Sequence, residues 1–164
     1  MHQGHDGHDG MSSEMVRHHY LLLGINLIVG LAIMYFVMFA MIASWGEFIQ
    51  NINFFYMALM MWAPMGALML LTMPMMYPNN TLNMALHALF ALVFILSTIG
   101  IREQGLVGDR QFLRSMIPHH SGAVLMCTHA SITDPQIKQL CGGIVASQTS
   151  EIKQMKAMLD RPHR

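Results

Sequence analysis

Charge is what this chain of 164 residues has least of: 9 Lys plus Arg and 9 Asp plus Glu, a formal net charge of zero. Between Arg17 and Arg102 the one charged residue is Glu47. A water-soluble domain does not leave so long a stretch uncharged, so the gap predicts a membrane protein whose partner is the lipid bilayer. The balanced charge argues against a nucleic-acid partner. Cys127 and Cys141 are too few for a disulfide framework and lack the C-x-x-C spacing of a zinc or redox site. No Gly-rich loop that could cradle phosphates is present, which excludes an ATP-driven pump acting alone. Acidic residues are scarce too. The glutamates are Glu14, Glu47, Glu103 and Glu151, and none begins a Glu-x-x-His pair. A di-iron oxidase therefore lacks its carboxylates. A Ser or Cys hydrolase needs a base and an orienting acid beside its nucleophile, and Cys127 is too far from His120 along one helix to be its direct partner. The expectation is a protein that is not an enzyme.

What the chain has in excess is apolar sequence and soft donors: 19 Met and 10 His, with a mean hydropathy of +0.41. Three apolar runs fit membrane spans, at about 20–44, 54–76 and 82–100, within a membrane domain of residues 20–101. Trp45 and Tyr77 fall at span ends, where amphipathic rings belong. Pro78-Asn79-Asn80 is a turn signal between the second and third spans. Pro64 and Pro74 are expected to kink or interrupt the second. The first run is too long for a cleaved signal peptide, lacks a small-x-small site, and is followed by more spans.

Charges return after Gly105-Leu-Val-Gly108, and residues 106–164 read as a helical hairpin. Asp109 is a plausible cap for a helix reaching about Ala130. Thr133-Asp134-Pro135 supplies a cap with Pro at the first position of a helix reaching about Leu159. So short a connection makes the two helices antiparallel neighbours. Pro118 lies inside the first, and a bend is expected there. At about 100° per residue, Phe112, Met116, His119, His120, Ala123 and Cys127 share a side. Ile137, Cys141, Ile144, Gln148, Glu151, Ile152 and Met155 form the matching side of the second helix. A face made only for packing would be Leu, Ile, Val and Ala. Thioether, imidazole, thiol and carboxylate in the driest stripe read instead as a site for a soft metal, copper and in particular Cu(I). The other reading is a histidine pair bonded across the hairpin to Glu151 and Gln148. Both roles can coexist, because a ligating histidine usually donates its second nitrogen to a carboxylate. Such a hairpin buries little by itself. The expected cover is the same face of a second copy, which completes a four-helix bundle in a dimer or higher oligomer.

The run Phe112-Leu-Arg-Ser-Met-Ile-Pro-His-His-Ser-Gly-Ala-Val-Leu-Met126, with Ile144-Val-Ala-Ser-Gln-Thr-Ser-Glu-Ile-Lys-Gln-Met155, resembles the bacterial domain-of-unknown-function family 305 over residues 109–160. The upstream His18-His19-Tyr20, Met34-Tyr35 and Tyr56-Met57-Ala-Leu-Met60-Met61 are similar to that family's membrane-anchored branch. The resemblance implies an all-α fold: three transmembrane helices and a hairpin that forms half of a ferritin-like bundle. It also implies a role in copper homeostasis or tolerance. Carried over by position, the family motif falls on Met116, His119, His120, Met126, Gln148, Glu151, Met155 and Met158. Cys127, with Cys141, departs from many relatives and joins the candidate ligands as a thiol. A single hairpin, where longer relatives repeat the unit, again implies a homo-oligomer.

The remaining features hold alternatives open. Residues 1–19 have no apolar period and are expected to be a disordered tail. Its His2, His5 and His8, with His18 and His19 at the membrane boundary, are a possible metal-capture segment or merely polar. Met57, Met61, Met65, Met69 and Met73 form a stripe in the second span that is either adaptable packing or a copper path. His87 is an ionisable group in lipid and so a candidate on the same path. The charges after the third span would place the hairpin in the cytoplasm, whereas the family resemblance favours the periplasmic side of a bacterial inner membrane. Outside, Cys127 and Cys141 could form a disulfide; inside, they remain thiols. The reading is a multi-pass copper-binding protein. The alternatives are a metal-free oligomerisation module and a small oligomeric metal channel or transporter.

Overall fold

The computed structural model describes residues 12–161, and the tail histidines His2, His5 and His8 lie outside them. Among the described residues the chain is all-helical. Helix α1 spans Ser13–Val37 and tightens into 3-10 turns at Met38–Met41 and Trp45–Glu47. Helices α2 (Ile52–Thr72) and α3 (Asn80–Arg102) follow, then α4 (Asp109–His129) and α5 (Pro135–Leu159). Polar caps set most of the starts. Asn51 Oδ1 accepts from Phe54 N at 2.9 Å, Asn79 Oδ1 from Leu82 N at 3.0 Å, and Asp134 Oδ1 from Gln136 N at 2.7 Å. Each meets an amide that the first helical turn leaves without a partner. The cap of α4 is Gly108, one residue before the expected Asp109.

Helix α1 begins seven positions before the expected Tyr20, at Ser13, so His18 and His19 belong to a helix and not to a tail. Helix α2 runs through Pro64, and Pro74 lies beyond its end. Helix α4 likewise runs unbroken through Pro118.

The stretches Ser13–Met41, Ile52–Thr72 and Asn80–Arg102 are long and apolar enough to cross a membrane. Their outer faces leave Ile28, Leu71 and Leu96 more than half exposed. Their shared interior gathers Leu23, Leu27, Ala63, Leu70 and Phe90. Gly66 makes this packing possible: a Cβ there would lie 2.6 Å from Phe90 Cζ. Trp62 Nε1 donates to Leu27 O at 2.7 Å, so the one polar atom of the indole is satisfied inside the bundle. Tyr77 stands between the ends of two spans as expected, in the connection from α2 to α3, but it is turned inward. It is 4 % exposed and packs its ring 5.2 Å from that of Tyr20, while Tyr20 OH donates to Asn83 Oδ1 at 2.7 Å.

Helices α4 and α5 pack against each other, and α4 also touches α2 and both 3-10 turns. The hairpin therefore sits on the segment joining α1 to α2. Ser121 and Gly122 are buried against that segment, with Ser121 Oγ accepting from Ala43 N at 2.6 Å. Tyr56 OH donates to Gly105 O at 2.8 Å and steadies the link from α3 to α4. That link holds Gln104 and Leu106 at φ 51° and 60°, a left-handed backbone that costs energy in a residue with a Cβ.

Candidate metal centre

Helix register decides which candidate donors can meet. A disulfide joins Cys127 of α4 to Cys141 of α5. At the other end Arg110 Nη1 donates to Leu159 O at 3.1 Å. With both ends pinned, Gln148 stands across from His120, and Ile152 across from Met116.

The middle of the hairpin holds the closest polar contact. His120 Nδ1 lies 2.9 Å from Glu151 Oε2. The carboxylate stands off the line of the ring N–H, so the contact is a close electrostatic one and not an aligned hydrogen bond. Ser147 Oγ donates to the other oxygen, Glu151 Oε1, at 3.1 Å and holds the carboxylate in place. The imidazole side chain is only 13 % exposed. A carboxylate beside Nδ1 favours the tautomer protonated there and leaves the Nε2 lone pair as the donor. The His119 ring is exposed on the next position, its centroid 6.2 Å from that of His120. Gln148 Oε1 is buried with no hydrogen-bond partner, an acceptor with nothing to accept.

The other candidates are placed differently. Met155 is 8 % exposed and packs with Ile117 and Ile152, and Met116 lies against the same cluster. Their thioethers belong to the hairpin core. Met126 and Met158 are both exposed and stand toward opposite ends of the hairpin. At about 1.5 Å of rise per residue, each lies roughly 15 Å along its helix from Met116 or Gln148. One ion cannot take both. Cys127 is corrected outright: its sulfur is bonded to Cys141, so it offers no thiolate. Among the described residues, no three His, Cys, Asp or Glu side chains gather as a metal cage.

The methionine stripe does not share one enclosed face. Met57, Met61 and Met73 are exposed. Met65 and Met69 pack into the bundle, Met65 Cε lying 3.3 Å from where a Cβ on Gly30 would stand. The i, i+4 spacing drifts about 40° per step around a helix, which carries the stripe from one side to another. His87 Nδ1 lies 2.7 Å from Asn83 O, and its buried Nε2 has no partner. His19 Nδ1 is also buried without one.

One residue was missed as a positioning group. Glu47, the lone charge of the apolar region, is buried. Its Oε1 receives Lys156 Nζ at 2.8 Å, and its Oε2 receives Ser121 Oγ at 3.3 Å. The signal was its isolation: a single carboxylate in uncharged sequence must find a partner.

A family model described as Domain of unknown function (DUF305) matches residues 100–159, the end of α3 and nearly all of the hairpin. The chain is 33 % identical over 119 residues to an uncharacterized protein of Acanthamoeba polyphaga mimivirus, covering 71 % of this chain and 76 % of the relative. That alignment is longer than the family match, so the likeness includes part of the three-helix unit. No solved structure matches.

Proposed function

This chain belongs to the DUF305 family, and we propose that it is a multi-pass membrane protein whose hairpin binds copper without catalysis. The single observation that carries the reading is the pair His120 Nδ1 and Glu151 Oε2 at 2.9 Å, with Ser147 behind the carboxylate. That arrangement orients an imidazole for ligation through Nε2. His119 on the adjacent position supplies a second imidazole. The orphaned Gln148 Oε1 is a further oxygen donor. Glu151 acts behind His120 and does not itself ligate. Met116 and Met155 lie next to this group, and thioethers select Cu(I) over Zn²⁺.

The three apolar helices cross the bilayer, and their exposed aliphatic faces meet lipid. The disulfide of Cys127 and Cys141 supports an oxidising compartment on the hairpin side. It outweighs the positive-inside count, because Arg102, Arg110 and Arg114 against Arg17 is a small asymmetry. The tail then lies across the membrane, and its histidines belong to a different compartment from the hairpin. A second copy covers the exposed Phe112, Ile137 and Leu140 of the hairpin. Two such hairpins make a four-helix, ferritin-like bundle.

The test is copper stoichiometry. His119→Ala with His120→Ala should leave a folded protein, judged by helicity, that has lost most high-affinity copper. Unchanged stoichiometry by atomic absorption sinks the assignment and favours the metal-free oligomerisation module, which the packing of Met116 and Met155 also fits.

A further inference from the structure

A second polar site lies on the opposite flank of α4 from the histidine pair. A cleft of about 380 Å³ opens between the end of α1, the start of α2 and the first turns of α4. Tyr35, Gln50, Phe55, Gln111 and Arg114 line it.

Apart from the Gln50 amide, which can donate or accept, its free hydrogen-bonding groups are donors. Tyr35 OH accepts from Asn51 N at 3.2 Å, which leaves its own proton to donate. Gln111 Oε1 accepts from Ile52 N at 3.3 Å, which leaves its NH₂. Asn51 has its carbonyl engaged, accepting from Phe54 N and Ser115 Oγ, while its NH₂ donates to Ile49 O. Arg114 has no carboxylate within ion-pair distance among the described residues. The cleft thus presents a guanidinium, the NH₂ of Gln111, a phenol O–H and the two-sided amide of Gln50, and no carboxylate lines it. Donors of this kind around one full positive charge suit an anion with several acceptor oxygens, a phosphate group above all.

The position selects the source. Tyr35 stands two residues before the end of α1, and Ile52 is the first residue of α2, so the mouth lies where two apolar helices end. Aromatic rings surround Tyr35: Phe36 and Phe55 have centroids 5.5 and 6.5 Å from its own, and the buried Phe39 lies behind at 5.7 Å. Aromatic side chains and a cation at the end of a span are the pattern of the headgroup layer. Phe36 and Phe55 are about half exposed on the flank below, where acyl chains would run.

We propose that this cleft binds the phosphate of an anionic phospholipid, on the hairpin side of the membrane. The inference rests on the membrane reading above but not on copper. Arg114 neutralises the phosphate charge and Gln111 and Tyr35 donate to its oxygens. A choline group would find no acceptor carboxylate there, so the site prefers phosphatidylglycerol to phosphatidylcholine.

The experiment uses the full chain in mixed vesicles and then native mass spectrometry of the lipids it retains. Wild type should retain phosphatidylglycerol over phosphatidylcholine. Arg114→Gln should lower that retention about tenfold, the loss of one charge-assisted hydrogen bond. Gln111→Glu keeps the acceptor for Ile52 N and adds a negative charge to the cleft, so it should lower retention at least as far. Lys153→Gln, on the exposed side of α5, should change nothing. Equal retention of both lipids, or unchanged retention in Arg114→Gln and Gln111→Glu at wild-type helicity, overturns the proposal. So does an equal loss in Lys153→Gln, which would show diffuse attraction only. Displacement of the lipid by millimolar inorganic phosphate overturns the lipid source. Failure of the wild-type chain to float with vesicles would instead remove the membrane reading itself.

Discussion

Lys156 Nζ reaches Glu47 Oε1 at 2.8 Å and joins the last helix to the first interhelical segment, 109 positions away in sequence. Ser121 holds the other carboxylate oxygen, so one buried acid ties α4 and α5 to the base of the three-helix unit. The hairpin is thereby partly covered by its own chain. A second copy is not the only cover it has.

Removal of one partner should undock the hairpin before it unfolds the apolar helices. Lys156→Met leaves Glu47 buried and unpaired, at a cost of about 1–3 kcal/mol. The figure lies below that of a fully buried pair because the Lys156 side chain is one-third exposed. Faster hydrogen exchange in α4 and α5, with α2 and α3 unchanged, is the expected signature. The charge swap Glu47→Lys with Lys156→Glu should recover part of the loss.

The hairpin tip depends on its disulfide. Protein purified without reductant should show no maleimide-reactive thiol until it is reduced. Replacement of both cysteines by Ser should lower hairpin stability by about 3 kcal/mol, the chain-entropy value for a loop of this length. Two reactive thiols in the unreduced protein would contradict the oxidising environment argued for this side.

Glu151→Gln tests the carboxylate behind His120. It keeps the volume and removes the charge that favours protonation at Nδ1. Copper affinity should fall about 10–100-fold with little change in thermal stability. A competition titration with a Cu(I) chelator measures it, and an unchanged affinity would leave Glu151 with a packing role alone.

Met155→Leu separates ligand softness from packing. Leu conserves volume, so the stability cost should stay under about 1.5 kcal/mol. Cu(I) affinity should fall more than Zn²⁺ affinity, because only the thioether discriminates between them. Equal losses for both metals would make Met155 core and nothing more.

Glycine substitutions report on the close approach inside the three-helix unit. Gly66→Ala drives a methyl into Phe90, which is 2 % exposed and has no room to retreat. A loss of about 1–3 kcal/mol is expected. Gly142→Ala meets nothing within 4 Å and should stabilise α5 by about 0.4–1 kcal/mol. Thermal unfolding of the two variants in one detergent distinguishes them.

Local chemistry alone determined much of this protein. Uncharged runs set three apolar helices, and Asp134 with Pro135 set the start of α5, because caps and hydropathy act over a few residues. The pairing of His120 with Glu151 was also legible, since two antiparallel helices with a short connection admit few registers. Tertiary structure decided the rest. Glu47 was visible as a lone charge, but its partners come from α4 and α5, and no local rule names a contact so distant in sequence. Cys127 looked like a ligand until the hairpin register brought Cys141 against it. Met126 and Met158 matched a motif, yet helix rise places them at opposite ends. Tyr77 was legible as a span-end residue, and only the contact with Tyr20 buried it there. In each case the side chain's chemistry was plain in the sequence, and only the packing of helices chose the neighbour that gave it a role.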